Sequence, residues 1–167
     1  MKIYRYLACA LATVAIASCS NEEVQAPVSG EVAALEITVK TADPSARAVG
    51  NLPGFAAEAA INKVSVLVFN NGSYDAGTID ADPAAGKVKV ENSTSGTRDL
   101  LIVANAPAGT FTAGMTKQQA LDKIVTLNLT PGNLVMAGQL TGKTLVPTDA
   151  SNEVPDDNKF DIALNRL

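Results

Sequence analysis

Leu35, Ile37 and Val39 alternate with Glu36, Thr38 and Lys40, and the same period of two returns at Lys87–Val90 and at Lys159–Arg166. Only an extended chain puts every second side chain on one face, so each segment reads as a strand with one buried side. Lys63–Phe69 and Thr97–Asn105 are apolar nearly throughout, which suits strands in the middle of a sheet. Asn133–Leu140, with Gly138 near its end, and the short Lys143–Val146 read as two more. The set amounts to about seven strands at the spacing of a β-sandwich. Asn70-Asn71-Gly72-Ser73 and Ser93-Thr94-Ser95-Gly96 read as turns, the first a tight hairpin because Asn and Gly both tolerate positive φ. One helix is expected. Thr116 with Gln119 three residues later makes a capping box, and Ala120, Leu121, Ile124 and Val125 supply an apolar face. Ala56–Ala60 reads as a helical turn, and no internal repeat is visible.

The residues offer little chemistry. With 167 positions the chain has the size of one ordinary domain, and it contains no histidine and no tryptophan. That removes the commonest general base and the commonest metal ligand, and no lysine is placed to activate a Ser or Thr nucleophile. The chain is therefore read as not an enzyme, with no cofactor. Asp80/Asp82 and Asp156/Asp157/Asn158 fit no calcium loop and read as solvated acids, so no metal site is expected. A formal net charge of −4 argues against a nucleic-acid surface. The sequons at Asn71, Asn92 and Asn128 read as chance matches.

The N-terminus carries an address. Lys2 and Arg5 precede an uncharged, largely apolar run from Leu7 to Ala17, the length of a signal-peptide core and too short to span a bilayer. It ends in Ile16-Ala17-Ser18-Cys19. Two small residues before a cysteine resemble the lipobox of bacterial lipoproteins. That implies signal peptidase II cleavage between Ser18 and Cys19, with the lipid carried on Cys19. Cys9 would leave with the signal peptide, and lipidated Cys19 leaves no pair for a disulfide. Glu22 and Glu23 just after the anchor resemble the surface-export signal of Bacteroidales lipoproteins. Residues 20–32 read as a flexible tether.

After the first strand comes Ala42–Gly50, rich in small residues with Pro44 and Gly50, an exposed loop by composition. Arg47 is the only basic residue between Lys40 and Lys63. A buried strand on an exposed tether with one arginine looks like a segment made to be cut.

Taken in order, these pieces resemble the N-terminal domain of the Bacteroidales fimbrillins, the type V pilins, over nearly the whole chain. The pieces are the lipoprotein signal, the first strand, Ala46-Arg47-Ala48-Val49-Gly50, the Lys63–Phe69 strand, Gly96-Thr97-Arg98-Asp99-Leu100-Leu101-Ile102-Val103-Ala104-Asn105, the short helix and Ile162-Ala163-Leu164-Asn165-Arg166. The fold class expected is mostly β: a single transthyretin-like/Greek-key β-sandwich of about seven strands with one short helix. The layout is a signal peptide at 1–18, a tether at 19–32 and the sandwich at 33–167. Strand 34–41 and loop 42–50 would be removed by proteolysis. The resemblance implies export as a lipoprotein to the outer membrane and cleavage of the Arg47–Ala48 bond by an arginine-specific or trypsin-like protease. The first strand, with Leu35, Ile37 and Val39, would then be displaced in favour of a donor strand from another pilin subunit. The product is a surface fimbrium, a homopolymer serving adhesion. Fimbrillins carry a second sandwich domain whose C-terminal segment is the donor. This sequence ends where the first domain is expected to end, so it is expected to be a truncated sequence, with a non-polymerising anchor or tip subunit as the alternative. A lipid-anchored glycan-binding accessory sandwich is the competing reading. It is disfavoured because sugar platforms lean on Trp and Tyr, and only Tyr74 lies in the mature domain.

Overall fold

The computed structural model describes residues 30–42, 60–127, 134–149 and 153–167. Seven strands form: β1 (Val32–Thr41), β2 (Val64–Asn70), β3 (Ser73–Ala81), β4 (Lys87–Thr94), β5 (Gly96–Ala104), β6 (Met136–Leu145) and β7 (Lys159–Arg166). One helix, α1 (Lys117–Val125), and a short 3-10 turn at Asp156–Asn158 complete the regular structure of the described residues. The strand order is β3-β2-β5-β6-β7-β1-β4. All pairs are antiparallel except β1 with β7. The two strands at the ends of this order meet through side chains. Asp75 of β3 accepts from the Ser93 and Thr94 hydroxyls of β4, and Thr78 donates to the Lys89 carbonyl at 2.8 Å. The result is a mostly β, sandwich-like fold rolled nearly into a barrel.

Two apolar clusters explain the sequence pattern. The inner one gathers Leu35, Ile37 and Val39 with Val64, Val66, Val68, Val88, Val90, Leu100, Ile102, Met136, Ile162 and Leu164. The outer one packs Leu67, Phe69, Leu101 and Val103 against Phe111, Ala120 and Val135. β2 and β5 belong to both clusters, so they need apolar side chains on both faces and read as continuous runs. β1, β4 and β7 face only the inner cluster and therefore alternate.

Several elements differ from the sequence reading. Ser73–Ala81 forms β3, although its small and polar residues gave no strand signal; it is half-buried at one end of the sheet order. The two strands expected at 133–140 and 143–146 are one strand, β6. The pairing shifts between Arg98 and Leu100, and Gly142 takes φ +63 there, the left-handed residue of a bulge that lets the strand continue. Gly138 lies inside β6, not near its end: a Cβ there would stand 2.7 Å from the Ile162 side chain, so the glycine makes room for β7. Ser93 and Thr94 belong to β4, leaving Ser95 alone between β4 and β5. In α1 both halves of the capping box form, and Ala120 is buried with Leu121 and Ile124 packed beside it. Val125 is 85% exposed. At about 100° per residue it lies roughly 140° around the helix from Ala120, beyond the covered face. The Asn71-Gly72 turn has φ +48 and +82, the tight hairpin expected. Ala56–Ala59 lie outside the described residues.

Candidate functional site

β1 occupies a slot between two strands that depend on it. Its antiparallel pairing with β4 sets Leu35 opposite Val90 and Ile37 opposite Val88. Its parallel pairing with β7 runs from Glu36–Lys159 to Thr41–Leu164. β4 has no other backbone ladder among the described residues, and β7 pairs with β6 only at Arg166–Met136 and Asn165–Ala137. Leu35 and Ile37 are fully buried and Val39 is 5% exposed, as the alternation predicts. Burying three such side chains is worth about 1.5–3 kcal/mol each.

Both ends of β1 are held by bonds that read backbone, not side chain. The Ala34 amide donates to Thr148 Oγ1 at 2.6 Å, and the Ala34 carbonyl accepts from Asn158 Nδ2 at 2.9 Å. Asn158 is fully buried and also exchanges hydrogen bonds with the Val146 amide and carbonyl. At the far end the Val39 amide donates to the Gly86 carbonyl at 2.8 Å and the Ala42 amide to the Leu164 carbonyl at 3.0 Å. A bulge near the start falls on β4, where Asn92 takes φ +59. Asn tolerates that left-handed conformation better than most residues.

The outward face of the slot is charged. Glu36 lies opposite Lys89 on one side and Lys159 on the other, and Lys87 Nζ reaches Glu36 Oε1 at 2.8 Å. Lys159 has its pKa raised, first by its hydrogen bond to Asp156 and the charge of that carboxylate, and further by Glu36. Lys40 faces Asp161 at 4.0 Å.

Cys19, Ser18, Arg47 and Ala48 lie outside the described residues. The described chain on either side of residues 43–59 is anchored. Ala42 is tied to β7, as above. On the other side Asn105, 3% exposed at φ +60, accepts from the Asn62 amide at 2.9 Å and donates to the Ala60 carbonyl at 2.8 Å. The sequence marked Ala104-Asn105 as a strand end, and this clamp is what the asparagine does there. A polar residue closing an apolar strand was the visible signal; its partners, some 40 positions away, were not.

No group of three His, Cys, Asp or Glu side chains that could hold a metal ion is found among the described residues. What the arrangement shows is a strand on which both neighbouring edges rely for backbone pairing. Without β1, the inner cluster would open and the facing edges of β4 and β7 would present unpaired backbone groups, a template for another extended segment.

Residues 33–166 match the family described as "Major fimbrial subunit protein (FimA)". The chain is 31% identical over 138 residues to the major fimbrium subunit FimA type-2 of Porphyromonas gingivalis, and equally over 140 residues to FimA type-3. Each alignment covers 83% of this chain and 33% of the relative, so the chain spans about a third of the curated relatives it matches. Among solved structures, the C-terminally truncated tip fimbrial protein Mfa3 of P. gingivalis shares the fold. Its TM-score is 0.52 at 19% identity, covering 81% of this chain and 48% of that one. A putative cell adhesion protein of Parabacteroides distasonis does likewise, with TM-score 0.52 at 17% identity over 84% and 46%. A family match running from the second residue of β1 to the last of β7 takes in the slot and the strand that fills it, and the chain belongs to the FimA family of fimbrial subunit proteins.

Proposed function

We propose that the chain is a structural fimbrial subunit that reaches the cell surface as a lipoprotein anchored through Cys19, and that it polymerises by strand exchange at the β1 slot. Cleavage of the Arg47–Ala48 bond frees the segment that carries β1. A strand from another subunit then takes its place, and repeated head-to-tail donation builds a filament, because such an interface does not close on itself. The observation that carries the reading is the position of β1. It is buried on its inner face and paired on both edges, and β4 has no other ladder among the described residues. A vacated slot is costly, so a freed slot favours refilling. Surface adhesion and assembly with further copies are part of the same proposal.

Limited trypsin treatment of the folded chain tests it. The expected product is a stable body whose N-terminal sequence begins at Ala48, with the β1 segment released when a competing strand is supplied. Resistance of Arg47 while other sites are cut would sink the processing step. A body that is cut but never gives up β1 would instead favour an anchor or tip subunit, a role compatible with the fold shared with the tip protein Mfa3. Palmitate labelling that persists in Cys19→Ser would refute the lipid anchor.

A further inference from the structure

The slot selects more than apolar side chains. The inner face asks only for alternating apolar residues, a condition that many β segments satisfy. The outer face is more particular. Lys89 stands directly across from Glu36 on β4, Lys159 directly across on β7, and Lys87 forms an ion pair with its carboxylate at 2.8 Å. These three ammonium groups belong to the walls of the slot and stay when β1 leaves. Lys89 and Lys159 have acidic neighbours of their own, Glu91 at 3.1 Å and Asp156 at 2.7 Å, which stay as well. Yet Glu36 is the carboxylate of β1 placed between both walls, and its side chain is 25% exposed, less than Lys87 at 51% or Lys89 at 40%. An electrostatic demand at one fixed point along a strand sets register, because a one-residue slip would move the charge to the inner face.

We infer that the acceptor slot recognises an incoming strand by a carboxylate at the Glu36 position, between two inward apolar residues, so that the occupant is a strand of a partner subunit with the pattern apolar–acidic–apolar–polar–apolar, running parallel to β7. This rests on the strand-exchange reading above and adds which strands the slot accepts. A neutral residue at that position leaves Lys87 without its ion-pair partner and gives Lys89 and Lys159 no counter-charge from the strand; a lysine adds a fourth cation. Like charges opposite one another in a sheet are unfavourable, and complementary charge across an interface acts mainly on specificity and rate of encounter.

The test uses the full chain cut at Arg47, exchanged in mild denaturant against labelled peptides spanning residues 30–42. The native peptide is expected to bind roughly tenfold more tightly than its Glu36→Lys version at low salt, the scale of a few partly exposed ion pairs. The gap narrows as salt rises. The full-length Glu36→Lys/Lys87→Glu/Lys89→Glu chain, cut in the same way, is expected to prefer the lysine peptide. Equal affinity of both peptides for the native body overturns the carboxylate selection while leaving strand exchange standing. Binding by neither peptide overturns both. Should the triple variant fail to fold, the salt dependence on the native body decides alone: a preference indifferent to salt is not electrostatic.

Discussion

β5 and β1 are both buried strands with a ladder on each side, yet they are committed to the fold differently. β5 divides its side chains between two clusters, with Leu100, Ile102 and Ala104 inward and Leu101 and Val103 under α1. Its ends are clamped as well. Arg98, 3% exposed, bonds to Asp75 and to the Ser95 carbonyl, and Asn105 holds Ala60 and Leu134. β1 contributes to the inner cluster alone, and its other face carries Glu36, Thr38 and Lys40. Removing β5 would dismantle both clusters. Removing β1 opens one and leaves α1 and the outer cluster untouched. The exchange proposed for β1 draws on this one-sided burial, and it requires that the neighbouring strands keep attachments other than their ladders with β1. For β4 those attachments are the Asp75 bonds to Ser93 and Thr94 and the bond of Thr78 to the Lys89 carbonyl.

The largest expected effects test this difference directly. Leu101→Ala and Ile37→Ala should each cost about 2–5 kcal/mol in the intact chain, read by urea denaturation. After cleavage at Arg47 and exchange of the first strand for the native peptide, the Ile37→Ala penalty should vanish while that of Leu101→Ala remains. A penalty at Ile37 that survives exchange would break the comparison.

Asp75→Asn comes next. It leaves the buried Arg98 guanidinium without its anionic partner at the seam between β3 and β4, a loss of about 3 kcal/mol. The same carboxylate gives a pH signature. Burial pushes the Asp75 pKa up, but hydrogen bonds from Thr94 and Ser93 and the charge of Arg98 outweigh it, and the net shift is downward. Asp99 is lowered as well, first by its hydrogen bond from Lys117 and then by the Gly142 amide. A carboxylate depressed in the folded state stabilises fully above its unfolded pKa of about 3.9, and that contribution is lost as pH falls through the lower folded value. The melting temperature should therefore drop as pH goes below about 4, and less steeply in Asp75→Asn. A melting temperature that holds or rises on acidification through this range would contradict the seam.

The smallest effect belongs to the far side of the molecule. Thr116→Ala removes the cap of α1, whose hydroxyl accepts from the Gln119 amide, and should cost about 1 kcal/mol. Peptide affinity at the β1 slot should be unchanged. A shift there would mean that the two clusters are coupled and that β1 is less separable than its one-sided burial implies.

Much of this was legible in the residues. Alternation placed Leu35, Ile37 and Val39 inward because one-sided burial leaves a local trace every second residue, and continuous apolar runs marked β2 and β5 because both their faces are covered. The capping box at Thr116 and the Asn71-Gly72 turn are also local chemistry. β3 gave no strand signal: half-exposed at the end of the sheet order, it offers only Ala76 and Ala81 to the inner cluster and Tyr74 and Ile79 to the outer one, and Gly77 sits where a Cβ would meet the Val66 carbonyl at 2.7 Å. β6 was divided in two because Gly142 looks like a stop until its bulge partners on β5 are known.

By itself, then, the sequence determined most of the segments that extend, which of their faces are greasy, where the helix starts and where the lone arginine between Lys40 and Lys63 falls, since each is set by neighbours a few residues apart. Only the tertiary structure decided that β1 lies between β4 and β7, parallel to one and antiparallel to the other, with Lys89 and Lys159 in register across from Glu36 and Lys87 ion-paired to it. Those partners lie from about 50 to more than 120 positions away in the chain, and no local pattern encodes which distant strand will complete a ladder.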